Sequence, residues 1–266
     1  MDNRMSILIN SPDSYSDVFS VFLQCKEKNW KNCRYEIILS TNTKEYKDIT
    51  VLHSGGTSGN SWMDREILAL HYIRTKYVLI MCEDSLIMKQ VEESLLEDII
   101  DDMDSYGINY CKLTAPCRGK PVGKSGLLTK VKKTKPYARN LMIGIYNREY
   151  LLDLIGDGSK SPWELESEWL KDTHTAKDEY FSDITVVNRD ILFAKNAVLK
   201  GRWYSSALKS LEDIDVYVKP EREVIGIKEE KIINYYSLLG SKIPSKLRTT
   251  LKKIGKLMGL KFASDN

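Results

Sequence analysis

Short apolar runs alternate with helically spaced segments along the first part of the chain. Four runs are typical of buried strands, at 6–10, 36–40, 50–52 and 77–82. Between the first two runs, apolar residues recur at helical spacing, at Val18, Phe19, Phe22 and Leu23. This spacing predicts a helix over 16–29 that packs on the sheet. The strand, helix, strand order predicts a parallel sheet in an α/β fold.

The same alternation continues downstream. Further strands are predicted at 110–113, 141–146, 184–187 and 197–199. Further helices are predicted from Ser61, over 91–106, over 148–155 and from Pro162. A chain of 266 residues accommodates one large α/β core and a small appendage. We therefore expect one domain over 1–240 and a separate tail over 241–266.

The apolar run at 77–82 ends in two adjacent carboxylates, Glu83 and Asp84. Ligands of open α/β sheets bind where the strands end. A divalent cation, or a sugar bridged by one, is therefore the natural occupant of this position. The alternative is that the two carboxylates only cap a loop or the next helix.

Two segments have the composition of phosphate-binding loops. The Gly/Ser-rich loop 53–60 suits a diphosphate, because its backbone N–H groups are able to surround one. It lacks the Lys-Ser/Thr ending of a P-loop, so a flexible turn is the alternative. The segment 117–140 holds eight lysines and arginines and no acidic residue. It is predicted to be a basic loop, either beside a phosphate site or simply solvated.

Another candidate site is the segment that begins at Ser161. Within it, Trp163, Glu166 and Trp169 are spaced three residues apart on a predicted helix. Tryptophan is able to wall a sugar ring while a carboxylate takes a hydroxyl proton. We therefore assign the two tryptophans to an acceptor site. The alternative interpretation is that both tryptophans belong to the core and the glutamates face water.

Composition excludes several classes of protein. A net charge of +3 is too small to indicate nucleic-acid binding. Five cysteines without C-x-x-C spacing argue against a disulfide framework and a structural zinc site. The N-terminus lacks the layout of a signal peptide, and no apolar window approaches the length of a membrane span. We expect a cytoplasmic protein whose contact with the membrane is peripheral.

The C-terminal segment 242–262 is strongly basic and carries no acidic residue. Apolar residues recur along it at helical spacing, at Leu247, Leu251, Ile254 and Met258. This pattern predicts a basic amphipathic helix that binds the anionic inner surface of the cell membrane. A packed helix or a disordered tail is the alternative.

Six short segments between Ser6 and Trp203 match, in their order and spacing, segments of a known protein family. They are Pro12–Asp17, Ser61–Arg65, Tyr77–Asp84, Tyr146–Leu152, Ser161–Glu166 and Lys200–Trp203. The chain resembles a bacterial nucleotide-sugar glycosyltransferase of the GT-A fold, similar to the family-2-like enzymes of capsule and lipopolysaccharide synthesis. The resemblance implies a Rossmann-like, mixed but mainly parallel sheet flanked by helices.

The resemblance also assigns roles to residues. In that family an acidic D-x-D motif holds Mn²⁺ or Mg²⁺ against the donor diphosphate. Here the position reads Glu83-Asp84-Ser85 and lacks the second aspartate, so Asp84 is the implied metal ligand. The implied donor-binding residues are Pro12, Asp13, Ser14, Asp64, Arg65, Glu83, Lys200 and Arg202. The general base is placed in the Trp-x-x-Glu segment, at Glu166, with Glu164 in reserve.

The activity implied is inverting transfer of a sugar from a nucleoside-diphosphate sugar to a glycan or lipid-diphosphate-linked acceptor in surface polysaccharide synthesis. An alternative is a catalytically inactive GT-A-like module that binds a sugar nucleotide at the membrane, and the departure at Glu83-Asp84-Ser85 supports it. A nucleotidyltransferase on a related sheet is disfavoured, because no Gly-rich Lys/Arg signature follows the first strand.

Overall fold

The computed structural model describes residues 4–54, 62–135, 137–172 and 179–242. Residues 55–60 of the predicted Gly/Ser loop 53–60 therefore lie outside the described residues. So does the helix predicted at 242–262, apart from Lys242. The chain divides into two compact units, 1–194 and 195–266. The boundary predicted after residue 240 stays a prediction.

Nine strands form the central sheet in the described part of the first unit. They are β1 (Met5–Asn10), β2 (Glu36–Thr41), β3 (Thr50–His53), β4 (Tyr77–Cys82), β6 (Tyr110–Lys112), β7 (Pro121–Val122), β8 (Leu128–Lys132), β9 (Gly144–Asn147) and β10 (Tyr180–Val187). Their order across the sheet is β3-β2-β1-β4-β9-β6-β10-β8-β7. A short strand, β5 (Ser85–Ile87), follows β4 outside this sheet.

Five helices accompany the sheet in the described part of this unit: α1 (Ser16–Asn29), α2 (Trp62–Tyr72), α3 (Glu93–Tyr106), α4 (Arg148–Ile155) and α5 (Pro162–Asp172). The sheet is mixed. β1, β2, β3 and β4 are mutually parallel, and β6 is parallel to β10. β9 is antiparallel to both β4 and β6. The predicted fold class, a mainly parallel α/β sheet flanked by helices, is therefore confirmed.

Strand periodicity explains how the helices are distributed. Alternate strand residues such as Leu8, Val78 and Tyr110 form one buried cluster with residues of α2, α4 and α5. Because side chains alternate between faces, the intervening Ile7 and Leu79 point to the opposite face. α1 and α3 cover that face, and they are joined where Trp30 Nε1 donates to Glu93 Oε1 at 2.7 Å.

The basic segment 117–140, predicted to be a loop, instead contributes two strands to the sheet edge. β7 pairs with β8, and β8 pairs with β10, both antiparallel. The physical reason is that Leu128 and Val131, which point to opposite faces of β8, are both at most 2% exposed, so both faces of this strand contribute to the core. The Asp102 carboxylate also accepts a hydrogen bond from the backbone N–H of Lys124 at 2.7 Å and closes the turn. The prediction of a loop throughout is therefore wrong.

The second unit contains short strands and two described helices. Its strands are β11 (Ala194–Asn196, which begins at the last residue of the first unit), β12 (Val198–Leu199), β13 (Arg202–Tyr204) and β14 (Val224–Ile225). Its helices are α6 (Ser205–Glu212) and α7 (Ile227–Lys242). β13 pairs with β12 and β14. Among the helices that the structure describes in either unit, none is long and apolar enough to cross a membrane.

Candidate functional site at the carboxyl edge of the sheet

The parallel strands β1, β2 and β4 end at one edge of the sheet, which we call the carboxyl edge. The register pairs Asn10 with both Ser40 and Cys82. The turn after β1, the loop after β2 and the Glu83-Asp84 pair after β4 are therefore neighbours. The turn that carries Pro12, Asp13 and Ser14 and the Glu83-Asp84 pair thus follow adjacent strands at the edge where ligands of α/β sheets bind. Their role in donor binding stays a prediction.

The Asp13 carboxylate joins the turn after β1 to the end of β2 and the loop that follows it, and we call this set of hydrogen bonds the clamp. Its Oδ1 accepts from Thr41 Oγ1 at 2.9 Å and from the backbone N–H of Asn42 at 3.2 Å. Its Oδ2 accepts from Thr43 Oγ1 at 2.6 Å. Burial acts to raise the Asp13 pKa, but the hydrogen bonds from Thr43 and Thr41 outweigh it and hold the pKa well below its usual range. Asp13 therefore shapes the predicted donor site through its neighbours.

Replacing Asp13 by alanine is expected to lower the free energy of unfolding by about 2 kcal/mol at neutral pH, since hydrogen bonds to a charged group are lost. The folded pKa lies below the unfolded value of about 3.9, so the contribution is present above about pH 4 and fades as pH falls towards the folded pKa. Urea denaturation of both proteins at pH 7 and pH 3 measures this. A difference that does not shrink at pH 3 would contradict the clamp.

Arg65 and Glu66 form a buried network with Asn10. The Arg65 Nε donates to Asn10 Oδ1 at 2.9 Å, and Asn10 Nδ2 donates to Glu66 Oε2 at 3.2 Å. Burial lowers the pKa of Arg65, while the charges of Glu66 and Glu83 act in the opposite direction. Arg65, a predicted donor-binding residue, is thus held at the carboxyl edge with its charge balanced by carboxylates.

Sequence reasoning missed Glu66. Its side chain is fully buried, and its Oε1 has no hydrogen-bond partner among the described residues. Burial raises its pKa to about 7, although the Asn10 hydrogen bond and the Arg65 charge oppose this. The available signal was its spacing, because Glu66 lies between Met63 and Leu70 on the apolar stripe of α2.

Glu83 and Asp84 form the two-residue turn between β4 and β5. Glu83 is 9% exposed and lies in the environment of Arg65. Asp84 is partly exposed, and burial raises its pKa to about 6. The described residues contain no group of three or more His, Cys, Asp or Glu side chains arranged to hold a metal ion. A single carboxylate still fits Mg²⁺, which commonly binds one or two carboxylates together with substrate phosphates.

Glu166 is half-buried on α5 and is fixed by the protein backbone. Its Oε1 accepts a hydrogen bond from the Leu141 N–H at 2.9 Å. Burial raises the Glu166 pKa, and this outweighs the opposing effects of the Leu141 hydrogen bond and the Lys112 charge. A positioned carboxylate with a raised pKa has the properties of a general base.

Cys82, the last residue of β4, lies on the face of the sheet that α5 covers. Val78 and Ile80 of β4 share a buried cluster with Leu165 and Trp169 of α5, and Cys82 points to the same face as Val78 and Ile80. Burial raises the Cys82 pKa well above its ordinary value, and the charges of Asp84, Glu83, Glu66 and Glu166 raise it further. Glu166 and the end of β4 are therefore on the same side of the sheet, although they are far apart in sequence.

Glu164, the reserve base, has a structural role that its position explains. Its Oε2 accepts from Ser161 N–H at 2.8 Å and Ser161 Oγ at 2.7 Å. The Glu164 N–H in turn donates to Ser161 Oγ at 3.3 Å. This is a capping box, in which Ser and Glu three residues apart satisfy the first turn of a helix. The Glu164 side chain is exposed, and its carboxylate is engaged in hydrogen bonds at the N-terminal end of α5.

The two tryptophans occupy opposite environments. Trp163 is 73% exposed, whereas Trp169 is 8% exposed and belongs to the core cluster. For Trp169 the structure agrees with the alternative interpretation, in which the indole packs the helix on the sheet. Trp163 keeps an open ring face on the first turn of α5, so an acceptor-binding role for it stays a prediction.

The remaining predicted donor residues belong to different units of the chain. Pro12 and Ser14 lie in the turn after β1, and Asp64 is exposed in the first turn of α2. Lys200 and Arg202 belong to the second unit. There the Arg202 guanidinium forms a bidentate pair with Glu229 at 2.7 and 2.8 Å. Its Nε also lies 3.0 Å from Glu223 Oε2. Arg202 is thus neutralised within its own unit, which does not support its assignment to the donor diphosphate.

No family model matches the sequence, and no curated protein matches it. Among solved structures, a fragment of S. aureus TarS is 13% identical over 69% of this chain and 60% of that chain, with a TM-score of 0.44. CMP:2-keto-3-deoxy-manno-octonic acid synthetase with CTP is 12% identical over 72% of this chain and 91% of that chain, with a TM-score of 0.40. A cytidylyltransferase from Leptospira borgpetersenii is 12% identical over 65% and 72%, with a TM-score of 0.38.

The chain thus spans 60% of the TarS fragment that it matches. The same TarS fragment has been solved in complex with UDP-GlcNAc. Similarity at this level concerns the arrangement of strands and helices. It does not assign an activity or a substrate to this chain.

Proposed function

We propose that this protein is a glycosyltransferase that moves a hexose from a nucleoside-diphosphate sugar to a hydroxyl of a glycan or lipid-linked acceptor. The observation that carries the proposal is the arrangement at the carboxyl edge, where Arg65 is bonded to Asn10 at 2.9 Å and Asn10 pairs with Cys82, the residue before the Glu83-Asp84 turn. Glu166 is half-buried and fixed by the Leu141 N–H at 2.9 Å. Family resemblance in sequence supports a role in surface polysaccharide synthesis.

The chemistry proposed is a single inverting displacement. Glu166 takes the proton of the acceptor hydroxyl as its oxygen forms a bond to the anomeric carbon. The bond between that carbon and the diphosphate oxygen breaks, and the electron pair leaves with the nucleoside diphosphate. The proton on Glu166 then returns to solvent. Asp84 would hold Mn²⁺ or Mg²⁺, which supplies positive charge for the leaving diphosphate.

Titration calorimetry tests the donor assignment directly. The full chain is titrated with UDP, GDP, CDP and their sugars, including UDP-GlcNAc, with and without Mn²⁺. We expect one nucleotide to bind best and its affinity to rise with the metal. Transfer is then followed as release of the nucleoside diphosphate in the presence of candidate acceptors. Absence of binding by every nucleotide would overturn the proposal.

A second candidate function is a module that binds a sugar nucleotide without transferring the sugar. The departure from D-x-D at Glu83-Asp84-Ser85 favours it. Nucleotide binding without transfer to any acceptor, and without slow hydrolysis of the donor to water, would support this module over the enzyme.

We also propose that the basic C-terminal segment attaches the protein to anionic lipid. Residues 243–262 contain six lysines and arginines and no acidic residue. Each basic residue near an anionic surface contributes roughly 1 kcal/mol. The segment is therefore sufficient for peripheral binding beside a lipid-linked acceptor.

Replacing Lys252, Lys253 and Lys256 together by glutamine is expected to weaken binding to anionic liposomes on the order of 100-fold. Co-sedimentation with phosphatidylglycerol vesicles measures the effect, and phosphatidylcholine vesicles are the control. Deletion of 243–266 should remove binding and leave nucleotide affinity unchanged. A truncated chain that still sediments with the anionic vesicles would refute the attachment.

A further inference from the structure

A second group of charged residues lies beside Glu166 and is not used in the proposed transfer step. Lys112 ends β6, and Lys135 and Arg139 lie in the connection from β8 to β9. We call these three residues the basic cluster. Each is partly buried, and none forms an ion pair with a carboxylate in the described part of the chain.

Hydrogen bonds fix the connection that carries the basic cluster. The Lys112 Nζ donates to the Tyr137 carbonyl at 3.2 Å. The next anchor is Asn140, whose Oδ1 accepts from Tyr110 Oη at 3.2 Å and whose carbonyl accepts from Tyr146 Oη. The Tyr110 and Tyr146 rings stack at 4.2 Å in the core, so this anchor is rigid.

The connection is also joined to the candidate base. Leu141 directly follows Asn140, and its N–H is the group that donates to Glu166 at 2.9 Å. Arg139 is placed by its guanidinium, which lies 5.3 Å from the centre of the Phe181 ring. Lys112 and Glu166 are therefore both bonded to the connection that carries Arg139.

Electrostatics supports the same grouping. Burial lowers the pKa of the Lys112 amine, and the positive charge of Lys135 lowers it further. Glu166 acts in the opposite direction. The three cations of the basic cluster outnumber the one carboxylate, Glu166, that acts on Lys112, so the cluster has an excess of positive charge. A bound anion relieves that repulsion.

The position of the cluster separates it from the donor site. β6 lies two strands from β4 and three from β1 in the sheet. At about 4.8 Å per strand, the Lys112 backbone is about 10 Å from β4 and about 14 Å from β1. With the nucleotide at β1 and β2 and its diphosphate at Asp84, the basic cluster lies on the side of β4 away from the nucleotide, and we place the acceptor there.

We propose that Lys112, Lys135 and Arg139 form an acceptor subsite for a phosphate group, so that the acceptor hydroxyl deprotonated by Glu166 belongs to a phosphate-bearing molecule. This inference rests on the proposed function for the identity of the acceptor. Phosphate suits the cluster because it carries up to two charges and matches the guanidinium fork of Arg139.

The test is direct binding of inorganic pyrophosphate to the full chain by titration calorimetry. The proteins compared are wild type, the double variant Lys135→Gln/Arg139→Gln and the control Lys124→Gln, an exposed lysine in the turn between β7 and β8. We expect the double variant to bind pyrophosphate at least about 10-fold more weakly and the control to match wild type. Thermal unfolding shows whether each variant folds, and Lys135→Gln alone replaces the double variant if needed.

Two further arms identify the source of the phosphate. Geranyl diphosphate represents a lipid diphosphate, and glycerophosphoglycerol represents a phosphodiester polymer. Whichever of these two ligands binds more tightly identifies the source of the phosphate. Its affinity should be lower for the variants than for wild type. Repeating the titration with saturating nucleotide separates the subsites, because the acceptor site should remain available.

Equal pyrophosphate binding by wild type and variants, or no binding, would overturn the subsite. Loss of pyrophosphate binding on saturation with nucleotide would assign the cluster to the donor instead and also overturn it. If no nucleotide binds but pyrophosphate binding depends on Lys135 and Arg139, the phosphate site stands and the proposed function fails.

Discussion

Replacing Glu166 by glutamine is expected to slow sugar transfer by on the order of 10² to 10⁴ while donor affinity stays close to wild type. Glutamine keeps the shape of the side chain, and its amide oxygen still accepts from the Leu141 N–H. Glutamine cannot take a proton, so only the rate of the chemical step should fall. Single-turnover transfer and donor titration on the same preparations separate these effects.

Glu164→Gln is the matched control on the same helix. Glutamine still completes the capping box with Ser161, so activity and stability should change little. The pH dependence gives a second readout. Burial raises the Glu166 pKa, so the wild-type rate should fall on the acid side at a higher pH than for an ordinary glutamate. Full activity in Glu166→Gln with loss in Glu164→Gln would reverse the assignment.

Replacing Asp84 by asparagine is expected to weaken metal-dependent donor binding by at least about 10-fold, since losing even an indirect metal partner costs this much. In wild type, Mn²⁺ or Mg²⁺ should raise donor affinity. In the variant, affinity should be low and nearly insensitive to the metal. Titration with nucleotide in the presence of metal or of a chelator measures both quantities.

Asp98→Asn provides the control for charge, because Asp98 is an exposed carboxylate on α3 with no predicted role in the site. It should retain the metal response. An Asp84→Asn protein that keeps its fold and still gains affinity from the metal would remove Asp84 from the metal site. Equal losses in both variants would indicate a general effect of negative charge.

Several elements were predictable because their signals are local. The helix predicted at 16–29 and the helix predicted at 148–155 coincide with α1 and α4. Helical spacing of apolar residues fixes α1, and α4 begins where Asn147 accepts from the backbone N–H groups of Glu149 and Tyr150. The α/β class followed from the same local information.

The hairpin of β7 and β8 was not predictable in this way. Its basic composition is typical of a solvated loop, and only pairing with β10 gives Leu128 and Val131 a core to enter. Strand pairing depends on distant residues, which local spacing does not report. The same reason explains why the partners of Asp13 on the loop after β2 were missed.

By itself, the sequence determined the α/β class, the longer strands and helices up to α5 except those of the basic segment, and the acidic end of β4, since short stretches of sequence carry each of these signals. It also provided the candidate base on α5, which stays a prediction. Only the tertiary structure decided what each side chain does there. It assigned Glu164 to a helix cap, buried Trp169 and Glu66, and bonded Glu166 to the Leu141 N–H. Such roles depend on burial and partners, which arise when strands distant in sequence end at one edge.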